Sequence, residues 1–158
     1  MKKLVTIAIV CIAFSLSAFA QNNTVSAGTS QFKAGIGFGS IHTFPPIHIS
    51  YEVPVYSISE KSYIGAGGFV GIEGYYSLLY WGVGANALFH YYFTPSFDVY
   101  SGPAIRYAGV TSTETDFHYS GLHMSWIVGM QYYFNDHFGL FLQEGGYSTA
   151  SIGVAYRF

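Results

Sequence analysis

His118 and Ser120 have the types and spacing of a general base and its nucleophile. On an extended chain, residues two apart share one face, where an imidazole can take the proton of a hydroxyl. The pair follows a polar stretch, residues 111–120, and no carboxylate is spaced to orient His118. An aromatic rim segment is therefore favoured over catalysis there. The six histidines, His42, His48, His90, His118, His123 and His137, lack the close pairing of a zinc site, and no cysteine accompanies them after Cys11. The sequence predicts no metal site and no cofactor. The glycine runs Gly65-x-Gly67-Gly68 and Gly82-x-Gly84 lie inside alternating segments with no helix following, so they do not form a phosphate loop. They read as space left for neighbouring side chains.

The elements that would position these residues are strands. Residues 1–20 have the form of a secretory signal: Lys2 and Lys3, an apolar run from Leu4 to Phe14, and the small-x-small site Ala18-Phe19-Ala20. Residues 21–30 are small and polar, a flexible periplasmic lead-in. The remainder, 31–158, keeps Lys33, Lys61, Arg106 and Arg157 against eight carboxylates, a balance that argues against a nucleic-acid partner. Only 9% of the chain is charged while 20% is aromatic and 51% hydrophobic. Soluble domains carry about 25% charged residues, so most of the outer surface must avoid water. No apolar run after the signal is long enough for a membrane helix. A closed barrel is then the structure that satisfies every backbone group in hydrocarbon.

Alternation gives eight strands at about residues 31–40, 46–55, 62–74, 81–93, 98–110, 121–134, 138–147 and 151–158. In the first, Phe32, Ala34, Ile36 and Phe38 oppose Lys33, Gly35, Gly37 and Gly39; in the second, Ile47, Ile49, Tyr51, Val53 and Val55 oppose His48, Ser50 and Glu52. Strand four sets Trp81, Val83, Ala85, Ala87, Phe89, Tyr91 and Phe93 against Gly82, Gly84, Asn86, Leu88, His90 and Tyr92. The phase of strand seven is open: Leu140, Leu142 and Glu144 oppose Phe141 and Gln143. Pro54 should end the pairing of strand two, and residues 75–80 should form an aromatic loop. The fold class is an all-β, eight-stranded antiparallel up-and-down transmembrane barrel with short periplasmic turns and aromatic girdles at both rims.

Six charges fall within these strands and are expected in the lumen: Lys33, Glu52, Glu73, Arg106, Glu144 and Arg157. Strand direction places Lys33, Glu52 and Arg157 toward the periplasm, with Glu52 accepting from Lys33 or Arg157. Arg106 would reach Glu73 or Glu144 in the outer half. Eight strands leave an interior that side chains fill, so no wide channel is expected.

The ending Ser151-Ile152-Gly153-Val154-Ala155-Tyr156-Arg157-Phe158 resembles the C-terminal strand of bacterial outer-membrane barrels, whose closing aromatic is part of an assembly signal. Over residues 31–158 the chain is similar to the small OmpA/OmpX-type, porin-family barrels. That resemblance implies an outer-membrane monomer in contact with lipid, inserted by the barrel-assembly machinery through Tyr156 and Phe158. Its role would be structural or surface interaction, with at most a narrow or gated pore. His118-Tyr119-Ser120 resembles the His-x-Ser element of outer-membrane lipid A deacylases, which implies an alternative as a lipid A-modifying acyl hydrolase. A secreted soluble ligand-binding barrel is the other alternative. It would need apolar residues inside and would bury Lys33, Glu52, Arg106 and Arg157 without need.

Overall fold

The computed structural model describes residues 29–38, 44–112, 114 and 117–158. The signal segment, most of the lead-in and His42 lie outside these residues. The strands are β1 (Gln31–Phe38), β2 (Phe44–Ser59), β3 (Ser62–Tyr75), β4 (Leu78–Thr94), β5 (Phe97–Ser112), β6 (His118–Tyr133), β7 (Phe138–Gly145) and β8 (Ser148–Arg157). Each pairs antiparallel with the next, and β1 pairs with β8, closing the barrel. The end where β1 begins and β8 finishes is the terminal end; the opposite one is the loop end.

Period-two alternation decides which side chains enter. On β1, Lys33 and Gly35 are buried while Phe32, Ile36 and Phe38 face out. On β4, Leu88 and His90 are buried and Phe89 and Tyr91 face out. On β6, Leu122, Met124, Trp126, Val128, Met130 and Tyr132 line the outside, and Ile127, Gln131 and Tyr133 the inside. The outer wall is apolar because no strand needs its outward side chains for a core.

Three expectations need correction. Strand β2 does not end at Pro54 but continues to Ser59, with a register shift between Pro54 and Tyr56. Proline removes one ladder donor, and the strand absorbs this as a bulge. The bulge moves the outward set from Ile47, Ile49 and Tyr51 to Tyr56 and Ile58, so Val53, which is buried, and Val55 are not the outward residues expected. The aromatic loop at 75–80 is instead a tight turn, because β3 and β4 pair through Tyr75 and Leu78. The polar stretch at 111–120 is strand at both of its ends, since β5 runs to Ser112, β6 starts at His118, and their pairing reaches Thr111 and His118.

Strand lengths are unequal. Pairing of β6 with β7 covers only Val128 to Tyr133, so β6 runs on from His118 to Ile127 with no β7 partner. The wall is therefore tall at β4–β6 and low at β7 on the loop end.

Inside, the lumen is layered. A polar layer near the terminal end lies below an apolar one of Phe69, Leu88, Tyr100, Ala104 and Ile127. Tyr147, from the β7–β8 turn, packs against that cluster from the loop end. Glycines make room for the rings: Gly129 faces Tyr100, Gly84 faces Phe69, and Gly71 and Gly82 face Tyr147.

Candidate functional site

The densest group of chemically capable side chains is the polar layer. β4 delivers His90, β2 Glu52, β5 Asp98 and Tyr100, β3 Tyr63, β1 Gln31 and Lys33, and β6 Gln131. His90 and Asp98 are wholly buried, 0% exposed, so this chemistry is sealed from solvent. His90 Nδ1 is 2.7 Å from Asp98 Oδ2, and its Nε2 is 2.6 Å from Glu52 Oε1. Tyr63 stacks on one face of the imidazole at 4.5 Å and Tyr100 on the other at 5.0 Å.

Hydrogen bonds tie together the groups around the ring. Tyr133 Oη donates to Gln31 Oε1, so Gln31 Nε2 is the atom that donates to Glu52 Oε1 and to Tyr63 Oη. Gln131 Nε2 donates to Asp98 Oδ2. The two carboxylate oxygens beside His90 thus already act as acceptors, and the ring lies between them, hydrogen-bonded through Nδ1 to Asp98 and close to Glu52 through Nε2. Lys33 Nζ lies 3.7 Å from the centroid of the Tyr100 ring, in the same layer. Lys33 and His90 thus face the carboxylates Glu52 and Asp98 within one buried layer. It braces the barrel from inside: among the described residues, the neighbours of His90 are two carboxylates and two tyrosine rings.

The expected lumen charges are distributed differently from the sequence reading. Lys33 and Glu52 share the polar layer, but Lys33 sits over Tyr100 and Glu52 faces His90. Arg157 stacks over Tyr133 at 4.1 Å and donates to Asp136 O at 2.6 Å and Pro95 O at 3.3 Å, clamping two turns at the terminal rim. Arg106 is paired with neither Glu73 nor Glu144: its Nη1 donates to the carbonyls of Gly146 and Tyr147, each at 2.8 Å. Glu144 is not in the lumen. Its strand phase is set by Phe141, which points inward between Gly35 and Gly153 and so turns Leu140, Leu142 and Glu144 outward. Glu73 is half-buried at the inner mouth.

These bonds fold the β7–β8 turn into the mouth. Gly145 and Gly146 have φ of 85° and 75°, a region open to glycine, and bring Tyr147 over Gly71 and Gly82. Tyr147 Oη donates to Tyr80 O at 3.1 Å. Below this plug is an internal cavity of about 10 Å³, the size of one water molecule, bordered by Lys33, His48, Asn86 and Gln143. Arg106→Ala should cost about 1.5–3 kcal/mol by removing charge-assisted bonds to the turn. A double-mutant cycle of Arg106→Ala with Glu144→Ala in denaturant unfolding should show no coupling; a coupling energy above about 0.5 kcal/mol would contradict this placement.

His118 and Ser120 lie on the outer face of β6 near the loop end, both exposed. Ser120 Oγ is 2.6 Å from Tyr107 Oη, and His118 is not its partner. Tyr156 and Phe158 pack edge to face at 5.1 Å in an outward aromatic band with Phe138 and Tyr51. Among the described residues, no cluster of three His, Cys, Asp or Glu side chains has the arrangement of a metal site. The sequence reading missed His90, Asp98, Gln131 and Tyr63 as one unit. Asp98 shares its parity with Arg106 on β5, a signal that the sequence reading left unused.

A closed eight-stranded barrel with an apolar wall and a charged, packed lumen defines the class. No family model and no curated protein matches the sequence. Solved structures do. The N-terminal β-barrel domain of Pseudomonas aeruginosa OprF is 16% identical with a TM-score of 0.54, covering 84% of this chain and 98% of that one. The crystal structure of Ail, the attachment invasion locus protein of Yersinia pestis, is 11% identical with a TM-score of 0.52, covering 82% and 97%. The backbone structure of Ail in a phospholipid bilayer nanodisc gives 12% and 0.53, covering 83% and 99%. At these identities the likeness concerns the fold, which is that of the small OmpA/OmpX-type barrels.

Proposed function

We propose that this protein is an integral outer-membrane barrel with a structural or surface-interaction role, exported by its N-terminal signal segment and acting as a monomer without enzymatic activity. One observation carries the reading: the side chains that face out are apolar, Leu122, Met124 and Trp126 each more than 60% exposed, while Lys33, Glu52, His90 and Asp98 are inside. A soluble barrel needs the reverse arrangement. Hydrocarbon satisfies the first, provided all backbone groups pair within a closed sheet. The acyl-hydrolase alternative gains no support from Ser120, whose hydroxyl pairs with Tyr107 rather than His118, and the soluble alternative is opposed by the wall.

The test is extraction. The protein should stay with outer membranes through washes in high salt and alkaline carbonate and leave with detergent. Release by salt alone would overturn the reading. The polar layer and the Tyr147 plug further support at most a narrow pore. Planar-bilayer recordings of purified protein should show no steady porin-sized conductance, and such openings would overturn the packed lumen.

Tyr156 and Phe158, outward on the closing strand, are the proposed contact for the barrel-assembly machinery. Phe158→Ala should slow insertion in cells while leaving the unfolding midpoint of the refolded barrel nearly unchanged, because an exposed ring removes little packing. Normal insertion with limiting machinery would remove this role.

A further inference from the structure

An outward groove of about 440 Å³ crosses the wall at β4–β8, lined by Phe89, Val99, Val128, Met130 and Leu142, with Glu144 at its edge. Its lining is overwhelmingly apolar, which suits an alkyl chain. Glu144 is six residues along β7 from the girdle residue Phe138. A strand tilted by about 40° rises about 15 Å over that distance, inside an apolar band about 25 Å tall. An outward carboxylate at that depth needs a partner, and among the described residues the wall holds no lysine or arginine: Lys33 and Arg106 point into the lumen, Arg157 clamps the terminal rim, and Lys61 is in a turn at the terminal end.

The low wall supplies the opening. β7 stops at Gly145, its turn bends inward under Arg106, and the neighbouring length of β6 from His118 to Ile127 has no strand partner on that side among the described residues. A bilayer thins beside a short wall, which lets a headgroup sink toward Glu144. A carboxylate suits a group with several donors and one positive charge.

We propose that this groove binds one acyl chain of a membrane lipid whose headgroup carries a primary ammonium, held by Glu144. The assignment rests on the membrane-inserted reading above. Trp126, on the outer face beside the groove, donates its Nε1–H to the groove residue Ser101 at 2.7 Å and is a built-in reporter. Trp81→Phe leaves Trp126 as the sole tryptophan. This variant is placed in phosphatidylcholine vesicles containing a minor fraction of brominated phosphatidylethanolamine, phosphatidylglycerol or phosphatidylcholine. The ethanolamine lipid should quench Trp126 about twofold more than the other two. Adding Glu144→Gln should bring all three to one level, and Ala150→Leu, which fills the groove floor, should lower quenching by the ethanolamine lipid while retaining the sheet circular dichroism. Equal quenching by the three lipids before Glu144 is changed would overturn the lipid site and leave the membrane reading intact. No quenching by any of them would overturn the membrane reading itself.

Discussion

Replacing His90 by alanine should destabilise the barrel by about 3–5 kcal/mol, the range for removing one partner from a buried ionic group. The imidazole is the element that separates Glu52 from Asp98, each within 2.7 Å of one of its nitrogens. Without it, two buried carboxylates face a gap with Lys33 as the nearby cation, and Lys33 is turned onto Tyr100. Tyr63 and Tyr100 also lose the ring between them, which adds a cavity cost to the electrostatic one. Urea unfolding of the refolded protein in vesicles measures the loss. A variant that removes every charge of the layer together, Lys33→Met, Glu52→Gln, His90→Leu and Asp98→Asn, should recover most of it, since a complete buried ionic group is often no more stable than a neutral replacement. A loss below about 1 kcal/mol for His90→Ala would mean that water reaches the layer and screens it.

The inward parity of this layer was legible in the sequence, and its pairing was not. Parity along a strand follows from backbone geometry, so the inward placement of Lys33, Glu52, His90 and Arg106 was readable from alternation alone. Pairing across the lumen depends on side-chain length and on ring stacking, neither of which has a period. Glu52 therefore found His90 rather than Lys33, and Arg106 found the carbonyls of Gly146 and Tyr147 rather than a carboxylate. Glu144 shows two rules in conflict. Its charge argued for the lumen, whereas its neighbours Leu140 and Leu142 argued for the wall. The size of Phe141 decided the matter, because the interior had glycines waiting for that ring at Gly35 and Gly153. Pro54 was misread for a related reason: a missing donor weakens one rung, but the flanking rungs of β2 and β3 hold the strand together through a bulge.

Gly153→Val should prevent the barrel from closing. Gly153 is paired with Gly35 where β8 meets β1, the seam joining the two strands farthest apart in the sequence. A Cβ built at Gly153 falls on the carbonyl oxygen of Ala34, on Gly35 Cα and on the Phe141 ring. Two of these three atoms are backbone and cannot move without opening the seam. Overpacking a core costs about 1–3 kcal/mol when side chains can shift, and more when they cannot. The seam also closes the longest loop in the chain, so a clash there acts after most of the conformational entropy has been spent. Gly121→Val is the matched control, since a Cβ at that position meets nothing nearer than 3.7 Å. It should change stability by less than about 0.5 kcal/mol. The readout is the fraction of refolded protein that keeps the heat-modifiable mobility of a closed barrel in gel electrophoresis. Trimming the ring with Phe141→Leu should not rescue Gly153→Val, because the Ala34 oxygen still occupies the space of the added carbon. Full rescue by Phe141→Leu would show that the ring alone, and not the approach of the two backbones, requires glycine at this seam.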